Sequence, residues 1–590
     1  MILSPSRRSD AIFHLKAAAL QARRALLDWR AGIRRLKRGQ AEDFPFVLAQ
    51  HRTPLRGESL SAAERALEQG KIQNLRASAR RLNNLLLEPN ATFSFWKHVG
   101  RATRRRGFAR GRLLREGCLV PAVGGGLCQM SNALYEVALQ AELSIIERWA
   151  HSRAVPGSAA AQGRDATVAW NYIDLRFSSP RPLLLQVLVA QDELIVRLRS
   201  PEPIAQAAPL NFIPLSQVAK SRPRLDALAH SCASCGQEAC FRHQNQPAAP
   251  GQGKRTLFLL DETWPEFLDW AKQNFGAHDA LSSPRPIKAL QNLPWQSVHA
   301  AQLFALDRSL QVRRSQSAPE RNAAQFRCNR DLARALSRAL SADIERVVIA
   351  QSLLPFAWSS GALGGRRFDV LMTRPPLSEV HKRLDRALQA HPERLQLGDF
   401  RAPLELVLDE ERALEAADAC ITPHAHIADV LEARGLPVRR LSWKRPAAST
   451  CSGHRTRSIA FPGPTTARKG GHDVRQIARE LDLEVVLLGS ELEGVGFWDG
   501  VRVRRVERGH ESWLDEVACV VQPALLEEQP RVLLRALSRG VPVIATPECG
   551  LSGDEDGLEL VAFGDAEALR AAVVRVLLRA LPARADDAST

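Results

Sequence analysis

The chain has 590 residues, 45% hydrophobic and 25% charged, enough for roughly two to four globular domains. No stretch holds the ~18 consecutive apolar residues that span a bilayer, and Met1-Ile-Leu-Ser-Pro lacks the basic and apolar regions of a signal peptide. Ten cysteines without a regular framework speak against a disulfide-stapled secreted fold and for reduced thiols. The expected location is therefore the cytoplasm, with a peripheral position at the inner face of the membrane as an option. A net charge of +17 calls for anionic partners: phosphates, nucleotide sugars, an anionic lipid surface or nucleic acid. Nucleic acid is disfavoured, because no reader motif accompanies the arginines.

Residues 1–40 are expected to form a basic amphipathic helix. Across 11–38, Ile12, Leu15, Ala19, Ala22, Leu26, Trp29, Ile33 and Leu36 recur at threes and fours. Arg23, Arg24, Arg30, Arg34, Arg35, Lys37 and Arg38 surround them, with Asp28 as the one acid. Such a helix lies on an anionic membrane surface or docks on its own domain.

Residues 41–200 carry two features that bear chemistry. Arg101, Arg104, Arg105, Arg106, Arg110, Arg112 and Arg115 lie close in sequence to Phe93, Phe95, Trp96 and Phe108. Arginine pairs bidentately with phosphate and stacks on rings; a solvated arginine face is the plainer reading. The second feature is Ala122-Val-Gly-Gly-Gly-Leu-Cys128, where three glycines run into a helical pattern (Leu127, Met130, Leu134, Val137). Glycine admits positive φ and close backbone approach, and a thiol in a helix's first turn is favoured as thiolate. Cys128, His151 and Asp165 follow in order as candidate nucleophile, base and orienter. A buried structural thiol beside a tight turn is the alternative.

The strings GGGLCQMSNALY, ERWAHS and DATVAWNY, with GKIQNL at 70–75 and PNATFSFW at 89–96, resemble the VanW family (vancomycin B-type resistance protein W) across residues 55–198. The resemblance implies a link to the bacterial envelope and to glycopeptide resistance clusters. It does not imply a reaction.

Residues 201–254 read as a linker holding Cys232, Cys235, Cys240 and His243. A C-x2-C knuckle with a further Cys and His within eight residues can wrap one tetrahedral zinc ion in a structural S₃N site. An iron–sulfur cluster using a distant cysteine such as Cys328 is the alternative.

From 255 onward short apolar runs alternate with helical stretches, giving two α/β halves at 255–445 and 446–590. In the first half, strands are expected at 256–260, 346–350, 368–373 and 419–422, and helices at 375–390 and 426–434; the section 282–330 stays unassigned. In the second half, strands are expected at 458–461, 484–488, 501–506, 518–522, 541–545 and 558–562. Helices are expected there at 473–481, 511–517, 529–538 and 566–579. Ligands in such sheets bind beyond the carboxyl ends of the strands. The order of elements and the run PRVLLRALSRGVPVIATP at 530–547 resemble the carboxyl half of group 1 retaining glycosyltransferases of GT-B fold.

That resemblance implies a donor site: Gly463 in the turn after the first strand, Arg468 and Lys469 on the diphosphate, and Glu527 on the donor sugar. Two positions depart from the family pattern. Pro464 stands where an arginine is usual, and Arg535 stands where a second acid, eight residues after Glu527, would bind the nucleotide ribose. A cation cannot accept the hydrogen bonds that a carboxylate accepts.

The expected fold is α/β overall: an α+β VanW-like domain, a small Cys/His metal knuckle and a GT-B pair of Rossmann-like halves. The expected function is a cell-envelope glycosyltransferase-like protein (retaining GT-B type) acting from a nucleotide-sugar donor on a polysaccharide or lipid-linked acceptor. Alternatives are a thiol-dependent hydrolase or transferase centred on Cys128, and a non-catalytic metal-stapled scaffold. His424 and His426 are candidates to face the cleft or, more plainly, to form a polar helix start.

Overall fold

The computed structural model describes residues 7–580 apart from 58–61, 116–117, 152, 155–162, 204–223, 226–229, 232–254, 262–263, 292, 294, 296, 316, 448–455 and 507–511. The chain divides into two compact units. One comprises Met1–Thr256 with Leu340–Val347 and Ser359–Arg367; the other comprises Leu257–Ala339, Val348–Trp358 and Phe368–Thr590.

In the first unit a four-stranded antiparallel sheet takes the order Phe46–Pro54, Glu193–Ser200, Leu183–Val189, Leu85–Leu87. The helix Ala62–Leu82 buries Ile72, Leu75, Ala79 and Leu82 in a core shared with that sheet and with the helix Leu127–Gln140, which contributes Met130, Leu134 and Val137. A three-stranded antiparallel sheet of Thr92–Ser94, Arg176–Ser178 and Ser144–Glu147 packs Phe93 on Phe177 at 4.5 Å between ring centres. Each fully buried leucine contributes about 2 kcal/mol.

One expectation about this unit needs correction. The first helix spans Arg7–Arg30, not 11–38, and Gly32 at φ +62° ends it. Nor does an apolar stripe hold it: Leu15 is 74% and Trp29 78% exposed, while Arg24 binds Glu147 at 2.6 Å and Asp28 binds Arg176 at 2.7 Å. The first unit also takes in two segments from later in the chain. Segments 340–347 and 359–367 fold with the first unit, where Arg76 donates to the carbonyls of Gly364 and Gly365.

Two further sheets follow, the six-stranded one wholly within the second unit. The six-stranded one runs Arg502–Arg505, Glu484–Leu487, Ser458–Phe461, Cys519–Gln522, Val543–Ala545, Leu558–Leu560, all parallel. Counted along the chain this is 3-2-1-4-5-6, the doubly wound order. The strands read as continuous apolar runs because both faces are covered. Ile459, Phe461 and Val485 pack with Val474, Ile477 and Val573 on one face; Ala460, Val486 and Val520 pack with Leu533 and Leu534 on the other.

The seven-stranded sheet repeats the order with one added strand: Ser297–Ala300, Ala280–Ser283, Arg255–Leu259, Ile344–Ala350, Arg367–Leu371, Ala419–Thr422, Val438–Arg440. The unassigned section 282–330 supplies the edge strand Ser297–Ala300 and the helices Gln302–Arg314 and Ala318–Leu336. The helix expected at 511–517 is a single 3-10 turn, Ser512–Asp515. Among the described residues no helix is long and apolar enough to cross a membrane.

The glycines of the first unit mark its tightest joint. A Cβ on Gly125 would stand 2.3 Å from the backbone of Gly111, whereas one on Gly107 meets nothing within 4 Å and bears only its φ of +84°. Gly125→Ala is expected to cost about 3 kcal/mol or more and Gly107→Ala about 1 kcal/mol, read from urea unfolding of the two variants beside the parent chain.

Candidate functional sites

The first site is assembled where the hairpin Arg110–Arg115/Cys118–Val123 turns into the helix Leu127–Gln140. Gly124 and Gly126 take φ of +84° and +87°, a conformation costly for other residues, and the turn delivers Cys128 into the helix's first turn. The loop around Asp165 is tied to the same helix. Ala166 donates its N–H to Asn132 at 2.8 Å and accepts from the Ser131 hydroxyl at 2.5 Å; Thr167 donates to the Trp149 carbonyl at 2.8 Å.

These ties bring Cys128, His151 and Asp165 together. Asp165 is fully buried. Its Oδ1 accepts from Arg148 Nη2 at 2.7 Å, and its Oδ2 accepts from the His151 backbone N–H at 2.8 Å and pairs with the ring Nδ1. Arg148 also donates to the carbonyls of Asp165 and Gly163 and lies over the Tyr135 ring at 5.2 Å. The Thr167 hydroxyl stands 3.7 Å from the Cys128 Sγ, and the His151 ring and the Val168 N–H lie near enough to act on the thiol. Arg148, Thr167 and Val168 carry roles that the sequence reading did not assign, although all three lie inside the motifs it quoted.

The charges follow from these contacts. Burial raises the Cys128 thiol, but the hydrogen bond and charge of His151, with Val168 and Thr167, outweigh it and bring the thiol below its ordinary value. Burial lowers His151, yet the bonds to Asp165 and Cys128 win and push it up to about 10. Burial raises Asp165, and His151 and Arg148 reverse that shift, holding it below the usual carboxylate range. Both shifts run in the direction that favours a thiolate beside an imidazolium.

The second site lies at the switch point of the six-stranded sheet, between the ends of its first and fourth strands, Ser458–Phe461 and Cys519–Gln522. Gly470 takes φ of +83°, and a Cβ there would strike the Pro523 carbonyl at 2.3 Å, so the Arg468–Lys469 turn packs on the loop after the fourth strand. Lys469 Nζ donates to the Leu526 carbonyl at 2.8 Å and to Glu527 Oε2 at 3.1 Å. Glu527 Oε1 accepts from the backbone N–H groups of Glu528 and Gln529, and Gln522 donates to Oε2.

A cavity of about 170 Å³ opens here, lined by Arg374, Phe400, His426, Arg468, Lys469 and Glu527 among others. Arg468 stacks over Phe400 at 5.4 Å. Arg374, from the seven-stranded half, adds a cation that the sequence reading missed; it is anchored on Glu410 at 2.8 Å. Gly463 faces Lys469, its would-be Cβ 3.3 Å from that of the lysine.

His424 and His426 both reach this region. His424 Nε2 donates to the Glu527 carbonyl at 2.9 Å, and its Nδ1 accepts from the Ile427 N–H, which defines the neutral Nε2–H tautomer. His426 lines the cavity. Burial is the main cause in both, pushing His424 down to about 4 and His426 to about 3. Arg535 lies half-buried on the following helix Arg531–Ser538.

Elsewhere in the first unit, the arginine-rich segment forms an exposed 3-10 turn at Arg104–Arg106. A groove of about 640 Å³ there is lined by Trp29, Arg34, Arg35, Trp96, Arg106 and Trp170, among others. Cys232, Cys235, Cys240 and His243 lie outside the described residues. Among the described residues no group of three or more His, Cys, Asp or Glu could hold a metal ion. Cys328 is buried in the helix Ala318–Leu336.

Comparison with known proteins finds likenesses in both units. The model of the VanW-like protein family matches residues 70–199, and that of glycosyl transferases group 1 matches residues 472–579. The uncharacterized protein YoaR of Bacillus subtilis is 36% identical over 136 residues, 23% of this chain and 44% of YoaR. The vancomycin B-type resistance protein VanW of Enterococcus faecalis is 36% identical over 129 residues, 21% of this chain and 47% of that protein. The chain thus spans less than half the length of these curated relatives. Among solved structures, the sucrose-phosphate synthase of Thermosynechococcus elongatus aligns at TM-score 0.37 and 15% identity, covering 55% of this chain and 90% of that one. A UDP-forming trehalose-phosphate synthase of Burkholderia vietnamiensis aligns at TM-score 0.34 and 13% identity, covering 56% and 92%.

The two histidines set an acid limit on the second unit. Neutral in the folded state, they bind protons near 6.5 once unfolded, so the stability they confer is present above 6.5 and is lost as pH falls from 6.5 toward about 4 for His424 and about 3 for His426. Thermal unfolding followed across that range is expected to show this slope, and His424→Gln is expected to flatten it.

Proposed function

Since this chain joins a VanW-like domain to a group 1 glycosyltransferase domain, we propose that it is a glycosyltransferase-like protein that takes a nucleoside diphosphate sugar into the cleft around Lys469 and Glu527. The observation that carries this reading is the Lys469–Glu527 pair at a topological switch point, where doubly wound sheets bind nucleotides. Lys469, Arg468 and Arg374 together offer a diphosphate a cationic wall. Neutralising the leaving diphosphate would be the main catalytic contribution. Glu527, its carboxylate already fixed by two backbone N–H groups, is oriented to accept from the donor sugar's hydroxyls.

Two Rossmann-like halves with this cleft between them correspond to the GT-B arrangement. His424, from the seven-stranded half, meets the Glu527 carbonyl of the six-stranded half and so holds the acidic loop from across the cleft. With Arg535 in place of an acid, the ribose contact implied by the family pattern is absent, and recognition rests on the diphosphate and the sugar. The VanW-like domain supports an envelope acceptor, a polysaccharide or a lipid-linked sugar, and a setting in glycopeptide resistance. Exposed Leu15 and Trp29 on an arginine-bearing helix are compatible with a lipid surface.

Calorimetric titration of the full chain with uridine, guanosine and adenosine diphosphate sugars tests the reading. Saturable binding of one of them is expected, weakened roughly 10- to 100-fold by Lys469→Ala and by Glu527→Ala. Absence of binding to all three by the folded chain would count against a working donor site.

A further inference from the structure

We propose that Cys128, His151 and Asp165 form a second active site, distinct from the donor cleft, in which the thiol takes the acyl group of an amide or ester and passes it to water or an amine. Three geometric observations carry this. Asp165, fully buried, is pinned by Arg148 at 2.7 Å and by the His151 N–H at 2.8 Å, and it holds the ring by Nδ1. The ring's remaining nitrogen is left to serve the thiol, on which the ring acts and whose Sγ stands 3.7 Å from Thr167 Oγ1. Cys128 is half-buried, while Cys328, Cys420, Cys519 and Cys549 are buried, so a substrate reaches this thiol in preference to those.

A purely structural cysteine needs none of this. Burying a carboxylate and an arginine to orient a histidine costs desolvation, and a thiol packed in a core is satisfied by apolar neighbours. Nucleophile, base and orienting carboxylate within hydrogen-bond reach are the parts that acyl transfer requires. The first-turn N–H groups of Leu127 and Cys128 have no acceptor four residues back within the helix, and they provide donors for an oxyanion.

The chemistry balances without a further reagent. Sγ attacks the carbonyl carbon, a C–S bond forms, and the carbonyl π pair moves to oxygen. Collapse expels the amine or alkoxide, which takes the proton from His151, and leaves a thioester on Cys128. Water or an amine then loses a proton to His151 as it attacks; the C–S bond breaks, and the thiolate and imidazolium are restored. Asp165 and Arg148 are positioning residues, acting through the ring.

The test uses the full chain with p-nitrophenyl acetate, following nitrophenolate release and mapping the adduct by mass spectrometry. A thioester on Cys128 is expected, absent in Cys128→Ala and slowed about 100-fold or more at neutral pH in His151→Ala. Asp165→Asn is expected to replace a flat rate profile at neutral to mildly alkaline pH with one that rises as the free thiol ionises. Circular dichroism confirms folding of each variant, and His151→Gln substitutes if His151→Ala does not fold. A folded parent chain that gives no adduct at Cys128, or one that forms equally fast without His151, overturns the proposal.

Discussion

A charge taken out of water must meet an opposite charge or several oriented dipoles, and both candidate sites stand where this chain satisfies that requirement. In the first unit the buried Asp165 binds Arg148 on one oxygen and His151 on the other. In the second, Lys469 is held between a carbonyl and Glu527. Carbonyls serve as well: Arg366, fully buried, donates to those of Leu340, Ser341, Ile344 and Ala362. Burial still pushes it down to about 9. Other buried arginines use both kinds of partner: Arg148 meets Asp165 and two carbonyls, and Arg394 meets Asp473.

The two sites share a second device, the joint between a strand and the turn or helix that follows it. In the second unit the turns after the first and fourth strands of a 3-2-1-4-5-6 sheet pack on one another and set Lys469 and Glu527 in the cavity wall. In the first unit, left-handed glycines turn a hairpin strand into a helix whose first turn carries Cys128. In both, backbone conformation available to glycine decides where the reactive side chain points. The side chain's own neighbours then decide its charge.

Much of this was legible from residues alone. The second α/β half has apolar runs covered on both faces, so its six strands stood out, and the Cys128 motif announced itself through three adjacent glycines. The strand Ala280–Ser283 and the edge strand Ser297–Ala300 beside it did not, because short segments containing serine and histidine lack an apolar run. The first helix was drawn too long, because its apolar spacing continued through Gly32 while the backbone did not. Its attachment through Arg24 and Asp28 reverses what amphipathic spacing implies. Arg148 and Arg374 were missed for another reason: an arginine that anchors a site looks, in a chain this basic, like any other. Only the buried partners Asp165 and Glu410 set them apart.

The most direct test of the account is a crystal structure of the full chain with the nucleoside diphosphate that binds it best. The account predicts diphosphate oxygens on Lys469 and Arg468, with Glu527 released from the lysine and turned toward the sugar position. A nucleotide bound elsewhere, or a Lys469–Glu527 bond left intact beside an empty cleft at saturating ligand, would contradict it.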